Sequence, residues 1–288
     1  MAMILLGMKL LVIQLVLSVV SCSQNINTSL PHEPPTTQSQ PEAEPDPVED
    51  LLDRLERSSA DLRDFQAKIR YDIWDAVTEE KQIRSGELIY QVDPDDGAKR
   101  FAILFDTFIF GNRQEKEAKH YIFADGWLVE IDHERKQFIK RQIVAPGKTF
   151  DPLKLGEGPF PLPIGQPKKE VLARFDVKLL DTPSDPFLAK MLTDRDVQGM
   201  VLFPKPNTPE AEKFQRVELF YDRETMLPVG INAVAADAID PDDPNSRNRK
   251  MVLLTNLKRN QGVDEAMLSI EEPDKREWDI NIHPWEGQ

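Results

Sequence analysis

The residues able to do chemistry are few and widely spaced. Four histidines, His32, His120, His133 and His283, stand in none of the short spacings with cysteine or carboxylates that a zinc site uses. The acidic run Asp240 to Asp243, with Pro244 and Asn245, lacks the alternating ligands, central glycine and terminal glutamate of a calcium loop, and reads as a solvated turn. There is no Gly-x-Ser-x-Gly elbow and no phosphate-cradling glycine loop. The 50 acidic side chains make an imagined carboxylate pair worthless, because acid-base work needs converging geometry and shifted pKa values. The expectation is a protein that is no enzyme and takes neither metal nor cofactor.

The one cysteine, Cys22, does carry a pattern. Lys9 precedes an apolar run from Leu10 to Val20, too short to cross a membrane comfortably and of signal-peptide length. The run closes on Val19, Val20 and Ser21 before Cys22, which resembles a bacterial lipobox. That resemblance implies cleavage after residue 21 and lipidation of Cys22. A lone cysteine forms no internal disulfide, so an exported chain gains more from a lipidated thiol than from a free one. Ser23, by resemblance to the enterobacterial sorting rule, permits the outer membrane. The expected setting is the periplasmic face of a membrane in a bacterial envelope.

These ends must be joined to a folded body. Residues 22–47 contain Pro31, Pro34, Pro35, Pro41, Pro45 and Pro47 among Gln, Thr, Ser and Glu, the composition of a tether. The expected division is 1–21 signal peptide, 22–47 lipidated cysteine and tether, and 48–288 folded domain. Hydrophobic residues make up 40% of the chain, enough for a core. A net charge of -14 opposes binding to nucleic acid, which depends on clustered cations releasing counterions.

The domain opens on an amphipathic helix with Val48, Leu51, Leu52 and Leu55 on one face. The period then changes to two: Phe65, Ala67, Ile69, Tyr71 and Ile73 alternate with polar residues. Further strands follow at Gly86 to Val92, Phe101 to Phe110, Tyr121 to Phe123, Trp127 to Ile131 and Gln137 to Val144, with Asp125-Gly126 as a hairpin turn. Phe101 to Phe110 is apolar on nearly every position, so both its faces should be shielded. Pro146 to Leu192 reads as an irregular cover with short helices at Lys168 to Phe175 and Pro186 to Leu192. Strands resume at Gly199 to Phe203, Gln215 to Tyr221, Leu227 to Ala235 and Met251 to Leu257. Many sequential strands with few helices predict a mainly β, α+β domain: a strongly curved antiparallel sheet, forming a half-open barrel covered by a few helices.

Three segments carry a family resemblance. FADGWLVEIDHERKQFIKRQI, SGELIYQ with its Arg100-led neighbour, and RVELFYDRETMLPVGI followed by LLTNLKRNQGVDEAMLSIEEPD resemble, in this order, strands of the LolA/LolB-like lipoprotein carriers. The resemblance spans about Val48 to Trp278. It implies an apolar cavity for acyl chains of lipids or lipoproteins, for which Phe101, Ile103, Phe105, Phe108, Phe110 and Trp127 are lining candidates. It also implies an arginine holding a lid shut, a place Arg100 could fill, with Pro146 to Leu192 as the lid. The function expected is that of a lipid-anchored carrier or membrane acceptor. The alternative is an envelope-stress sensor or interaction module on the same fold, with an envelope protein as partner.

Overall fold

The computed structural model describes residues 46–286 apart from 94, 96, 146, 149–152, 154, 156–163, 241–242 and 244–245. The expected signal peptide, Cys22 and nearly all of the tether lie outside the described residues.

Helix α1 runs from Pro47 to Ala60. Its start is encoded by Asp46, whose side chain accepts from the Val48 N–H at 2.9 Å, and by Pro47, whose missing N–H costs nothing in the first turn. Pro47 therefore begins the helix rather than ending the tether. Leu51 and Leu52 are buried, and Val48 and Leu55 pack beside them.

Among the described residues twelve strands form one sheet, in the order β12-β6-β5-β4-β3-β2-β1-β11-β10-β9-β8-β7. The N-terminal meander comprises β1 (Asp64–Asp75), β2 (Glu80–Val92), β3 (Lys99–Phe110), β4 (Arg113–Ala124), β5 (Trp127–Asp132) and β6 (Gln137–Gln142). After α2 (Lys168–Arg174) come β7 (Phe175–Leu180), α3 (Pro186–Leu192), β8 (Val197–Pro204), β9 (Phe214–Asp222), β10 (Pro228–Ala238) and β11 (Arg247–Arg259). A 3₁₀ turn at Glu265–Leu268 and β12 (Asp279–His283) follow. The pairing of β1 with β11, Phe65 opposite Arg259 through Trp74 opposite Arg249, welds the two meanders together. Every pairing is antiparallel except β12 on β6, which is parallel.

The sheet ends on β12 and β7 and does not close, so the architecture is a half-open barrel. Register shifts in β1/β11, β2/β3, β3/β4 and β9/β10 help it bend, because a bulge adds a residue to one strand and raises local twist. Gly86 sits at one of these. A Cβ there would fall 2.0 Å from the Leu104 carbonyl oxygen, so only glycine lets β2 and β3 approach at the bulge. The Asp125-Gly126 turn has φ of 53° and 78°, the left-handed pair that a two-residue hairpin requires.

The inner face carries one core, continuous from Phe123 of β4 to Phe175 of β7, over which α1, α2, Leu153, Leu155 and Ile164 pack. The outer face carries two. The C-terminal segment places Leu268 and Trp278 on Ile89, Ala102, Ile122, Val129 and Phe138. Helix α3 places Leu188 and Leu192 on Phe220, Val229, Met251 and Leu253. Shielding of β3 on both faces thus holds for Phe101 to Phe105 but not beyond, since Phe110 is 37% exposed.

Candidate functional site

Between α1 and the strands β8, β9 and β10 the inner core leaves a cavity of about 40 Å³. Leu52, Leu55 and Leu62 form its helix side, Met200, Leu202, Leu219, Tyr221 and Leu227 its sheet side, and Ile164, Gln166 and Val171 one end. The helix residues are here because α1 turns its apolar stripe inward. The sheet residues are here because alternate positions of β8 and β9 share one face.

The volume decides what fits. One water needs roughly 10–15 Å³ measured this way, and an engineered apolar cavity of about 150 Å³ takes benzene. The present hollow is below the size of a single aromatic ring, so an acyl chain is admitted only if α1 or the 164–171 segment moves outward. Most of the space inside the curved sheet is filled by the protein's own aromatic and aliphatic side chains.

Ser58, Ser59 and Arg259, at the edge of the cavity, are already engaged. Ser58 Oγ donates to the Thr225 carbonyl at 3.3 Å, and Ser59 Oγ donates to the Glu56 carbonyl at 2.7 Å. Burial drives the Tyr221 phenol upward from its ordinary value, so it stays protonated and neutral at physiological pH. Arg259 stands at the rim and donates to the carbonyls of Ser58 and Thr225. This is a lining able to hold hydrocarbon and, at one edge, a polar group. It pairs no nucleophile with a base.

Helix α1 is held down by polar contacts on both flanks. Lys168 Nζ lies 3.0 Å from a carboxylate oxygen of both Glu49 and Asp53, and Arg54 donates to Gln198 Oε1 at 2.9 Å. Exposed ion pairs of this kind are screened by solvent and contribute little, so the helix is fastened chiefly by its buried leucines.

None of the six lining candidates lies on this cavity. Phe101, Ile103 and Phe105 are buried in the inner core, Phe101 stacked on Phe123 at 5.9 Å and Phe105 on Tyr71 at 6.3 Å. Phe108 and Phe110 lie past the β3 bulge, their rings stacked at 6.4 Å with the Arg84 guanidinium 4.7 Å from Phe108. Trp127 is half-buried under the Lys140 ammonium at 5.2 Å. Arg100 shares the parity of Ala102, so it projects from the outer face while Phe101 points inward. There it pairs with Asp93 and, at 3.4 Å, with Glu265, and so fastens the C-terminal segment. Of the expected lid, α2 and the described residues around 164–171 reach the cavity, and α3 covers the opposite face.

The sequence reading missed Met200, Leu202, Leu219 and Leu227 as lining residues although it found their strands. Alternation marks a buried face without saying which helix will cover it. Among the described residues, no three or more His, Cys, Asp or Glu side chains gather to hold a metal ion, and no helix is long and apolar enough to cross a membrane.

An open, curved sheet of twelve strands among the described residues, with helices packed over its inner face, defines the class of the protein as a half-open barrel with an apolar interior. Neither a family model nor a curated protein matches the sequence. Solved structures do resemble it. One is an uncharacterized conserved protein from Thermus thermophilus, 13% identical with a TM-score of 0.40, the match covering 82% of this chain and 98% of that one. A second is MucB, 16% identical with a TM-score of 0.41, covering 78% of this chain and 62% of MucB. A third is a LolA superfamily protein from Nitrosomonas europaea, 8% identical with a TM-score of 0.31, covering 77% of this chain and 97% of that one.

Proposed function

We propose that the protein is an envelope lipoprotein, anchored through Cys22, that takes acyl chains of lipids or lipoproteins between α1 and the inner sheet face as a carrier or membrane acceptor. The observation that carries this reading is the cavity under α1: its walls are mostly apolar, and it is covered by α1 and the short 164–171 segment. Binding would begin when α1 lifts. Met200 and Met226, at the cavity, have unbranched side chains that re-pack around a flexible guest at small cost. Each methylene brought out of water would contribute about 0.8 kcal/mol, against the loss of the α1 contacts that must open.

On opening, Arg259 would lose its Ser58 partner and could accept the carboxylate or phosphate end of a lipid through charge-assisted hydrogen bonds. The polar end would then lie at the rim and the hydrocarbon within.

The test is mass spectrometry of protein extracted gently from its native envelope, paired with displacement of a fluorescent fatty acid. Co-purifying lipid and saturable displacement are expected. An extract free of lipid, together with no displacement, overturns the reading.

A further inference from the structure

Two histidines that the sequence keeps 13 positions apart meet on the outer face. His120 lies in β4 opposite Ile131, on the side where Ile122 joins the outer core under the C-terminal segment. His133 follows β5 directly, and its backbone N–H donates to the Ala118 carbonyl at 3.0 Å. The hairpin places Nε2 of His133 3.1 Å from Nδ1 of His120, with ring centroids 4.4 Å apart. The edge-on ring of Trp278 lies 5.5 Å from His133.

The separation has a meaning for coordination. Metal–imidazole bonds of about 2.0–2.1 Å would make two nitrogens 3.1 Å apart subtend roughly 100° at a shared ion, between a right angle and the tetrahedral angle. Neighbouring ligands of one ion are spaced in this way. We propose that His120 Nδ1 and His133 Nε2 form a two-imidazole site for a borderline divalent transition ion, copper(II) ahead of nickel(II) and zinc(II), with water in the remaining positions.

Both rings are suited to it. On binding, a proton held between the rings would move to the remote nitrogen of one of them, and the rings would turn so that both lone pairs converge on the ion. His133 is exposed, so an ion reaches the pair from solvent, while the apolar bed beneath His120 holds that ring in place. Local charge is balanced: Lys119 pairs with Glu130 at 2.7 Å, Lys136 with Glu277 at 3.3 Å, and Arg135 approaches Asp132 at 3.8 Å. No cation of these three pairs stands unopposed against a divalent ion there.

The experiment is titration of the full chain at neutral pH with copper(II) chloride and, separately, zinc(II) chloride. Expected are saturable one-to-one binding, a copper(II) paramagnetic resonance signal split by two imidazole nitrogens, and quenching of the emission that Trp278→Phe removes. His120→Gln and His133→Gln should each weaken binding by about 10- to 100-fold or more, whereas His32→Gln and His283→Gln should leave it unchanged. Absence of saturable binding up to millimolar metal overturns the proposal, as does binding that survives both substitutions. If His120→Gln unfolds the chain, the exposed position decides: a His133→Gln variant with unchanged circular dichroism and undiminished binding also overturns it.

Discussion

Arg259 Nη2 donates to the Ser58 carbonyl at 2.5 Å across 201 positions of sequence, and its Nη1 donates to the Thr225 carbonyl at 3.2 Å. One side chain at the end of β11 thereby ties the last turn of α1 to the β9–β10 turn. The carbonyls near a helix C-terminus lack helical partners and carry partial negative charge, so a guanidinium is well matched to them. The same residue lines the cavity, so under the proposed function the seating of the helix would govern access beneath it.

Replacing it should therefore loosen the lid. Arg259→Met keeps the aliphatic stem and removes the donors. It is expected to lower stability by about 1.5–3 kcal/mol in urea denaturation and to speed uptake of a fluorescent fatty acid in stopped flow. Lower stability with slower uptake would mean that α1 does not gate the cavity.

Filling the hollow separates the cavity from the aromatic strand. Leu219→Trp overpacks the lining, costs about 1–3 kcal/mol and should abolish fatty-acid displacement. Phe101→Leu, in the core away from the cavity, should cost a similar amount, about 1–3 kcal/mol, yet leave displacement intact. The opposite pattern would place the ligand against β3.

Gly86→Ala tests the β2–β3 bulge. Its Cβ would meet backbone atoms 2.0–2.8 Å away, which no rotamer change relieves. A loss of about 3 kcal/mol or more is expected by denaturant melting. A near-neutral effect would show that the strands have slack at this point.

Glu218 should make stability fall with acid. Burial alone raises its pKa, but hydrogen bonds from the Ser184 hydroxyl and N–H, Arg216 and Asn232 outweigh burial and hold it below the ordinary 4.5. A carboxyl whose folded pKa is depressed stabilises the fold fully above its unfolded value, and loses that contribution as pH falls through the folded value. Glu218→Gln should therefore be less stable at neutral pH and show a flatter acid limb below pH 4.5 in melting curves. Parallel limbs for the two proteins would rule this carboxylate out as a source of the acid dependence.

Cys22→Ser tests the anchor. The chain with Cys22 should fractionate with membranes and carry the added mass of acyl groups, and the variant should appear in the soluble fraction. Equal partition of both would contradict lipidation.

Much of the architecture was legible because local pattern reports local burial. The alternation from Phe65 to Ile73 became β1, the apolar stripe of Val48, Leu51, Leu52 and Leu55 became the buried face of α1, and Asp125-Gly126 became a tight hairpin turn. Where burial is weak, the signal failed. Arg113 to Lys116 is exposed throughout, so β4 was read as only its last few residues, and β7 and β12 were not read at all.

What only the tertiary structure decided are relations between distant segments. Nothing local to β1 names β11 as its neighbour, and nothing in Arg100 beside Phe101 says which of the two meets a helix and which meets Glu265. Periodicity gives the two faces of a strand but not their coverings, because those depend on how the sheet bends and which helix returns to it. For the same reason the sequence by itself determined a half-open barrel with an oily interior, while the packing of the folded chain decided that the interior is largely filled by its own side chains, that a small cavity lies under α1, and that His120 and His133 share a surface.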